Sequence, residues 1–152
     1  MLQLEEDNLS SISAPADLPD QVFMAISKEA MSGTETSRTM RFQGFIQHIH
    51  MMILVDSGTS HTFISEQLAQ SLFGVAPTEK PMGVQVAAGG ILICNIQIQH
   101  VVWYIQGFSF TSDLKILPIS SYGIILGMDW LEQYSSMQMD WKLKWIAVPY
   151  EG

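Results

Sequence analysis

The sequence predicts an all-β fold, a small barrel of short strands with one or two short helices. Three features of the 152-residue chain support this prediction. From Arg41 onwards, short apolar runs alternate with glycines and polar turns, which is typical of small barrels. Two alternating segments flank the glycine-containing residues 87–90, as expected for a β-hairpin. Helix signals are confined to the residues after Ser65 and around Asp129.

Composition divides the chain into two parts. Residues 1–37 hold seven acidic residues and one lysine, together with Pro15 and Pro19, so we expect an acidic, flexible linker or arm. Residues 38–152 hold eight acidic and six basic residues and form the predicted domain. Hydrophobic residues make up 47 % of the sequence, which is enough for a packed core, and the single cysteine, Cys94, excludes an internal disulfide.

The same composition excludes several classes of partner. The basic residues do not form the positive patch that nucleic-acid binding requires. No apolar run is close to the length of a membrane-spanning helix, which needs about 20 residues. The N-terminus lacks the basic start and the apolar stretch of a secretory signal. We therefore expect a soluble, intracellular and cytoplasmic protein without a nucleic-acid or membrane partner.

Hydrophobic patterning predicts the elements in order. Residues 42–46 and 51–55 form two paired strands, the second too apolar to be half-exposed. A helix capped by Ser65 follows, with Leu68, Leu72 and Phe73 on one face and Gly74 at its end. The glycine-tipped hairpin has a bulge at Cys94–Asn95 in its return strand. The remaining predicted elements are strands at 101–104, 108–110, 114–117 and 124–127, a helix started by Asp129 and Glu132 as a capping box, and strands at 137–141 and 145–148.

Asp56 is the candidate catalytic residue, because it follows a buried apolar strand that holds its carboxylate rigidly. Ser57 is small and can hydrogen-bond, and Gly58 permits close backbone approach. Two facing carboxylates share one proton, so that one activates water while the other donates to a carbonyl oxygen. None of the other six aspartates lies in an Asp-Ser/Thr-Gly turn. The second carboxylate is therefore expected from a second copy of the chain.

Two segments carry a family resemblance. Residues 53–65, Ile-Leu-Val-Asp-Ser-Gly-Thr-Ser-His-Thr-Phe-Ile-Ser, resemble the active-site stretch of the retropepsin-like aspartic proteases of gypsy-type plant retrotransposons. Residues 124–131, Ile-Ile-Leu-Gly-Met-Asp-Trp-Leu, resemble the second signature of that family. The resemblance spans about residues 40–150. It implies a closed acid-protease barrel, used as a homodimer, that cuts the Gag-Pol polyprotein of a retroelement in the cytoplasm or in virus-like particles, without cofactor or metal.

The resemblance also implies roles for individual residues. Asp56 is the catalytic carboxylate, and Thr59 or Ser57 supports the paired active-site loops beside Gly58. Gly127 lets the strand before it pass close beneath the active-site loop. The tip of the flap, a mobile hairpin over an extended peptide substrate, comprises Ala87, Ala88, Gly89 and Gly90. The second signature centres on Ile125, Leu126 and Gly127.

Other residues of the chain offer four alternative interpretations. His48 and His50 lack a cysteine or acidic partner at metal-ligand spacing, so we expect no metal site. Ser57 or Ser60 with the adjacent His61 does not fit a nucleophile and base, because neighbouring residues seldom reach that geometry. An ATPase phosphate loop would need a longer chain. A catalytically decayed or repurposed retropepsin fold, serving dimerisation or peptide binding, is the alternative function, since Gly123 and the Ala-Ala-Gly-Gly tip depart from the family pattern.

Overall fold

The computed structural model describes residues 23–32, 36, 38–86 and 89–149, which form ten strands and three short helices. The strands are β1 (Phe23–Ile26), β2 (Thr39–Ile46), β3 (Ile49–Asp56), β4 (Phe63–Ser65), β5 (Val75–Val86), β6 (Ile91–Ile105), β7 (Phe108–Leu117), β8 (Ile124–Leu126), β9 (Gln138–Asp140) and β10 (Trp145–Ala147). The helices are α1 (Lys28–Ser32), α2 (Glu66–Ala69) and α3 (Met128–Gln133). The predicted all-β class is confirmed, with one helix more than expected. None of the helices in the described ranges has the length and apolar character needed to cross a membrane.

Eight strands form one sheet in the order β1-β5-β6-β2-β3-β8-β4-β7. The long strands β6 and β7 also pair with each other, so the sheet closes into a barrel through β6, β2, β3, β8, β4 and β7. Strands β1 and β5 lie outside this ring, joined to it by the first half of β6. The closed barrel leaves few free strand edges.

The strand pairing departs from the prediction in three places. The segments predicted separately at 101–104 and 114–117 are the ends of the continuous strands β6 and β7, because β6 pairs with β5 first and with β2 later. The irregularity predicted at Cys94–Asn95 exists, but its extra residues lie in β5, between Pro77 and Met82. The short strand β4, inserted between β8 and β7, was not predicted.

Two apolar clusters pack against opposite faces of β3. Ile53 and Val55 face the barrel interior with Trp103, whereas Leu54 faces a second cluster with Phe63. This alternation follows from the two-residue period of a strand, and burial on both faces explains the uninterrupted apolar run. The prediction that this strand is not half-exposed is confirmed. Strand β3 is therefore held from both sides up to its last residue, Asp56.

The predicted helices are present with corrected ends. Ser65 caps α2, because its Oγ accepts a hydrogen bond from the Leu68 N–H at 3.0 Å. The helix ends at Ala69, so the expected position of Phe73 on its apolar face is wrong, and that ring is 85 % exposed. Gly127 occupies the N-cap position of α3, so Asp129 lies inside the helix and is not its cap. The two closing strands are present as predicted but shorter, and β9 pairs with β10 in an antiparallel two-stranded sheet.

The N-terminal arm contributes structure to the domain. Residues 23–26 form β1, which pairs in parallel with β5, and residues 28–32 form α1. Met24, Ile26 and Ala30 are buried in the second apolar cluster. The boundary expected between residues 37 and 38 stays a prediction, but this part of the expected linker packs against the domain.

Candidate active site

Asp56 lies at the end of β3 and is 1 % exposed. Its own loop supplies two hydrogen bonds to the carboxylate. The Gly58 N–H donates to Asp56 Oδ1 at 2.9 Å, and the Thr59 hydroxyl donates to Asp56 Oδ2 at 2.8 Å. The sequence left the supporting role open between Thr59 and Ser57; Thr59 contacts the carboxylate, and Ser57 is buried beside it. The loop therefore holds a single carboxylate in a fixed orientation.

Ser27 is a third donor to Asp56, which no sequence signal predicted. Its hydroxyl donates a short hydrogen bond to Asp56 Oδ2, although the two residues are 29 positions apart. The Ser27 Oγ also accepts from the Ala30 N–H at 3.0 Å, which directs its proton towards Asp56. In addition, the Ser27 N–H donates to Thr59 Oγ1 at 3.1 Å. The serine-rich composition around it offers no signal that would single out this residue.

The surroundings of Asp56 shift its proton affinity. Burial raises the pKa of the Asp56 carboxyl above its ordinary value of 3.8, because desolvation penalises the charged form. Hydrogen bonds from Ser27, Gly58 and Thr59 act in the opposite direction, and the negative charge of Glu29 adds a smaller upward effect. Since the net shift is upward, Asp56 retains a proton at a higher pH than an exposed aspartate. Retention of a proton at mildly acidic pH is what a shared-proton carboxylate pair requires.

The second signature lies directly beneath the active-site loop. Strand β8 pairs in parallel with β3, which places Leu126 beside Val55, one residue before Asp56. A Cβ atom on Gly127 would lie 2.7 Å from the Thr59 carbonyl oxygen and closer still to that of His61. Only a residue without a side chain fits this crossing. The Met128 N–H then donates to the Thr59 carbonyl at 2.8 Å, so the start of α3 supports the loop.

Thr62 and Asp129 connect the two signatures through side chains. The Thr62 hydroxyl donates to Asp129 Oδ1 at 2.6 Å, and the Thr62 N–H donates to Asp129 Oδ2 at 3.1 Å. The Gly127 N–H donates to the Thr62 hydroxyl oxygen at 3.3 Å. Asp129, predicted as a helix cap, is therefore a long-range partner of the active-site loop. The sequence could not show this, because a cap and a tertiary acceptor require the same residue type.

The predicted flap is a hairpin of β5 and β6. At its tip the Gly89 N–H donates to the Val86 carbonyl, and the Val86 N–H donates to the Gly90 carbonyl, both at 3.0 Å. Gly89 has φ +92°, a conformation that favours glycine. Ala87 and Ala88 lie outside the described residues. The end of β5 next to the hairpin tip, residues 83–86, reaches the active-site loop indirectly, since β1 pairs with it and also contacts the loop.

His61 and the adjacent Ser60 are closer than expected for neighbouring side chains. The Ser60 Oγ lies 2.7 Å from His61 Nδ1, so these adjacent residues do reach hydrogen-bond distance. Burial lowers the pKa of His61, which favours the neutral ring. The Ser60 hydroxyl is, however, also bonded to the backbone of Ala25, accepting from its N–H at 2.7 Å and donating to its carbonyl at 3.2 Å. These additional bonds hold Ser60 in a structural role rather than as an accessible nucleophile.

Metal ligation has no support in the described part of the chain. Within it, no three or more histidine, cysteine, aspartate or glutamate side chains lie close enough together to hold a metal ion. His50 instead packs against the ring of Phe45, with centroids 4.2 Å apart.

Comparisons with known proteins agree with this geometry. The family model described as retroviral aspartyl protease matches residues 20–150. Among solved structures, the chain is similar to the retroviral protease-like domain of Ddi1 from Leishmania major, with a TM-score of 0.56 and 15 % sequence identity. That match covers 75 % of this chain and 94 % of the Ddi1 domain, and at this identity it shows the fold alone. The comparison with curated proteins found no significant match.

Proposed function

Because the chain belongs to the retroviral aspartyl protease family, we propose that it is an aspartic endopeptidase in which two copies each supply one Asp56. The observation that carries this proposal is the position of Asp56. Its buried carboxylate ends a rigid strand, is held by the Gly58 N–H and the Thr59 hydroxyl, and has a raised pKa. A carboxyl of this kind is suited to sharing a proton with an identical partner across a two-fold axis.

The other described aspartates support the need for a second copy. Asp129 is bonded to Thr62, Asp113 accepts from the His100 N–H, and Asp140 accepts from the Leu143 N–H. Each thus has a structural hydrogen-bond partner other than Asp56. In the proposed reaction, one Asp56 of the pair removes a proton from the attacking water and the other donates its proton to the scissile carbonyl oxygen. Neither step requires a metal or cofactor.

The proposed substrate is an extended polypeptide bound beneath the β5–β6 flap. The resemblance to gypsy-type retrotransposon enzymes supports a retroelement polyprotein as this substrate, in the cytoplasm or in virus-like particles. The fold alone does not imply polyprotein processing, because the retroviral protease-like domain of Ddi1 shares it. The class of substrate therefore needs its own test.

Two measurements test the proposed reaction together. Peptides with apolar residues at their centre should be cleaved at mildly acidic pH, and Asp56→Asn should abolish cleavage. Asp113→Asn is the matched control, since it removes one charge from an aspartate outside the loop. Mass determination in solution should give a dimer under the assay conditions. Cleavage that survives Asp56→Asn, or full activity from a strict monomer, would contradict the mechanism.

A second candidate function is a repurposed fold that binds peptides or dimerises without catalysis. The specific observation in its favour is that Ser27 of the same chain already occupies Asp56 Oδ2. A dimer that binds a transition-state inhibitor of aspartic proteases but cleaves no peptide would favour this candidate. Cleavage of the sequence that flanks the domain would exclude it.

A further inference from the structure

Strand β1 lies between the flap and the active-site loop. On one side it pairs in parallel with β5, with Ala25 opposite Gln85 and Ile26 opposite Val86. On the other side its backbone bonds to Ser60: the Ser60 N–H donates to the Ala25 carbonyl at 2.9 Å, and the Ala25 N–H donates to Ser60 Oγ at 2.7 Å. A four-residue extended segment thus bridges a sheet edge and the loop of Asp56.

Every second side chain of β1 is buried in apolar surroundings. Met24 and Ile26 are buried in the cluster that contains Val84 and Phe63, and Ile26 is only 1 % exposed. Ala25, between them, is half-buried and points the other way. Backbone pairing to a sheet edge, with alternate side chains in pockets, is how folded proteins recognise extended peptides. The segment therefore makes the contacts of a bound peptide while belonging to the chain itself.

The residue that follows β1 contacts the candidate catalytic residue. Ser27 follows β1 and donates its hydroxyl proton to Asp56 Oδ2, and α1 then carries the chain away. The Ser121 hydroxyl donates to the carbonyl of Met31 at 3.3 Å, which fixes the far end of α1. The Ser27 and Thr59 hydroxyls both donate to Oδ2, and Asp56 is only 1 % exposed while Ser27 is in place. Release of Ser27 would free Oδ2 to accept a hydrogen bond from water or from a partner carboxyl.

We propose that residues 23–32 are an intramolecular ligand, which occupies the site between the loop of Asp56 and the β5–β6 hairpin. This segment must leave before an extended peptide with apolar residues at alternate positions can bind. The proposal rests on the proposed function, because it assigns a regulatory occupant to the same site. We call the state in which residues 23–32 are docked the closed state. Their covalent link to the domain favours this state, since a linked segment acts at an effective concentration of about millimolar or above. An external peptide competes only for the fraction of molecules in which the segment is released.

The first test weakens the docking of the segment in the full chain. Ile26→Asp places a charge in an apolar pocket, which the chain avoids by releasing β1. A fluorescent peptide of residues 23–32 should then bind at least about tenfold more tightly than it binds the unmodified chain, as expected if about 90 % or more of that chain is closed. Lys28→Gln is the control, because it changes the charge equally at an exposed position of the same arm. Equal peptide affinity in all three proteins would overturn the proposal.

The second test locks the segment in place, and it remains informative if the Ile26→Asp variant misfolds. Ala25 and Gln85 are register partners on adjacent strands, so Ala25→Cys with Gln85→Cys is positioned to form a disulfide. The natural Cys94 is buried and does not compete. The oxidised double variant should bind no added peptide, and a reductant should restore the affinity of the unmodified chain. Each single variant, insensitive to reductant, is the control.

The two proposals fail in different ways. If no form cleaves peptide but oxidation still abolishes peptide binding, the protease function is wrong and the intramolecular ligand stands. If Asp56-dependent cleavage is found and the oxidised double variant cleaves as fast as its reduced form, the intramolecular ligand is wrong and the protease function stands. Failure of the two cysteines to form a disulfide also contradicts the proposed position of β1.

Discussion

Thr62 and Asp129 lie 67 positions apart, and their side chains join the active-site loop to α3 through a 2.6 Å hydrogen bond. Asp129 also accepts the Thr62 N–H, so each of its carboxylate oxygens accepts a hydrogen bond from Thr62, and Oδ1 accepts a further one from the Trp130 N–H. Thr62 is buried, which means that its N–H cannot turn to water if Asp129 is removed. This pair therefore couples the stability of the domain to the position of the loop.

Asp129→Ala should lower the free energy of unfolding by about 2–3 kcal/mol, because it leaves a buried N–H and a buried hydroxyl without their acceptor. Urea denaturation measures this loss. Asp113→Ala is the matched control, since Asp113 accepts one backbone hydrogen bond at an exposed site, and its cost should stay within about 1 kcal/mol. Equal losses in the two variants would contradict the structural role of Asp129.

Gly127→Ala should destabilise the fold more than other Gly→Ala substitutions near the site. The added Cβ would meet the backbone carbonyls of Thr59 and His61, which cannot move without displacing the loop. We expect a cost at or above the upper end of the about 1–3 kcal/mol typical of overpacking. At Gly90 a Cβ would meet only the Val86 side chain at 3.5 Å, so Gly90→Ala should change thermal stability little. If Gly127→Ala had the same melting temperature as the unmodified chain, the expected clash between its Cβ and the two carbonyls would be wrong.

Asp56 should make the domain less stable as the pH rises. Its pKa is near 3.8 in the unfolded chain and higher in the folded one, so the unfolded chain loses this proton first. The stability that the protonated carboxyl supplies is complete below 3.8 and is lost as the pH rises through the folded pKa. Asp56→Asn removes this titration, and its free energy of unfolding should fall less between about pH 4 and pH 7. Denaturation curves at several pH values test this, and parallel pH profiles for the two proteins would contradict it.

Trp103 and Trp130 should respond differently to replacement by phenylalanine. Both rings pack on Phe110, but Trp103 Nε1 donates to Ser112 Oγ at 3.0 Å, whereas the buried Trp130 Nε1 has no hydrogen-bond partner among the described residues. Trp103→Phe loses a satisfied hydrogen bond, while Trp130→Phe removes an unsatisfied donor. We expect Trp103→Phe to cost about 1–2 kcal/mol more in chemical denaturation. The reverse order would mean that Trp130 Nε1 is satisfied in solution.

Much of the fold was predictable because its signals are local. The apolar run of β3, the glycine-tipped hairpin and the Ser65 cap each depend on residues a few positions apart. Strand ends were less predictable. β6 continues through the irregularity between Ile98 and Val101, because it exchanges one partner strand for another, and no local pattern encodes which strands are neighbours. Phe73 was misplaced for a related reason, since helical periodicity cannot show where a helix stops.

The candidate carboxylate, the order of the two signatures and the all-β class follow from the sequence, because motif and period are properties of neighbouring residues. The surroundings of Asp56, in contrast, depend on tertiary contacts. The Ser27 hydroxyl reaches it across 29 positions, Asp129 holds the loop across 67, and both contacts exist because strands distant in the chain lie side by side. Composition had marked residues 1–37 as an arm with little to pack against. The cluster that buries Met24 and Ile26 is assembled only when β1 meets β5, so no property of the arm alone could reveal it.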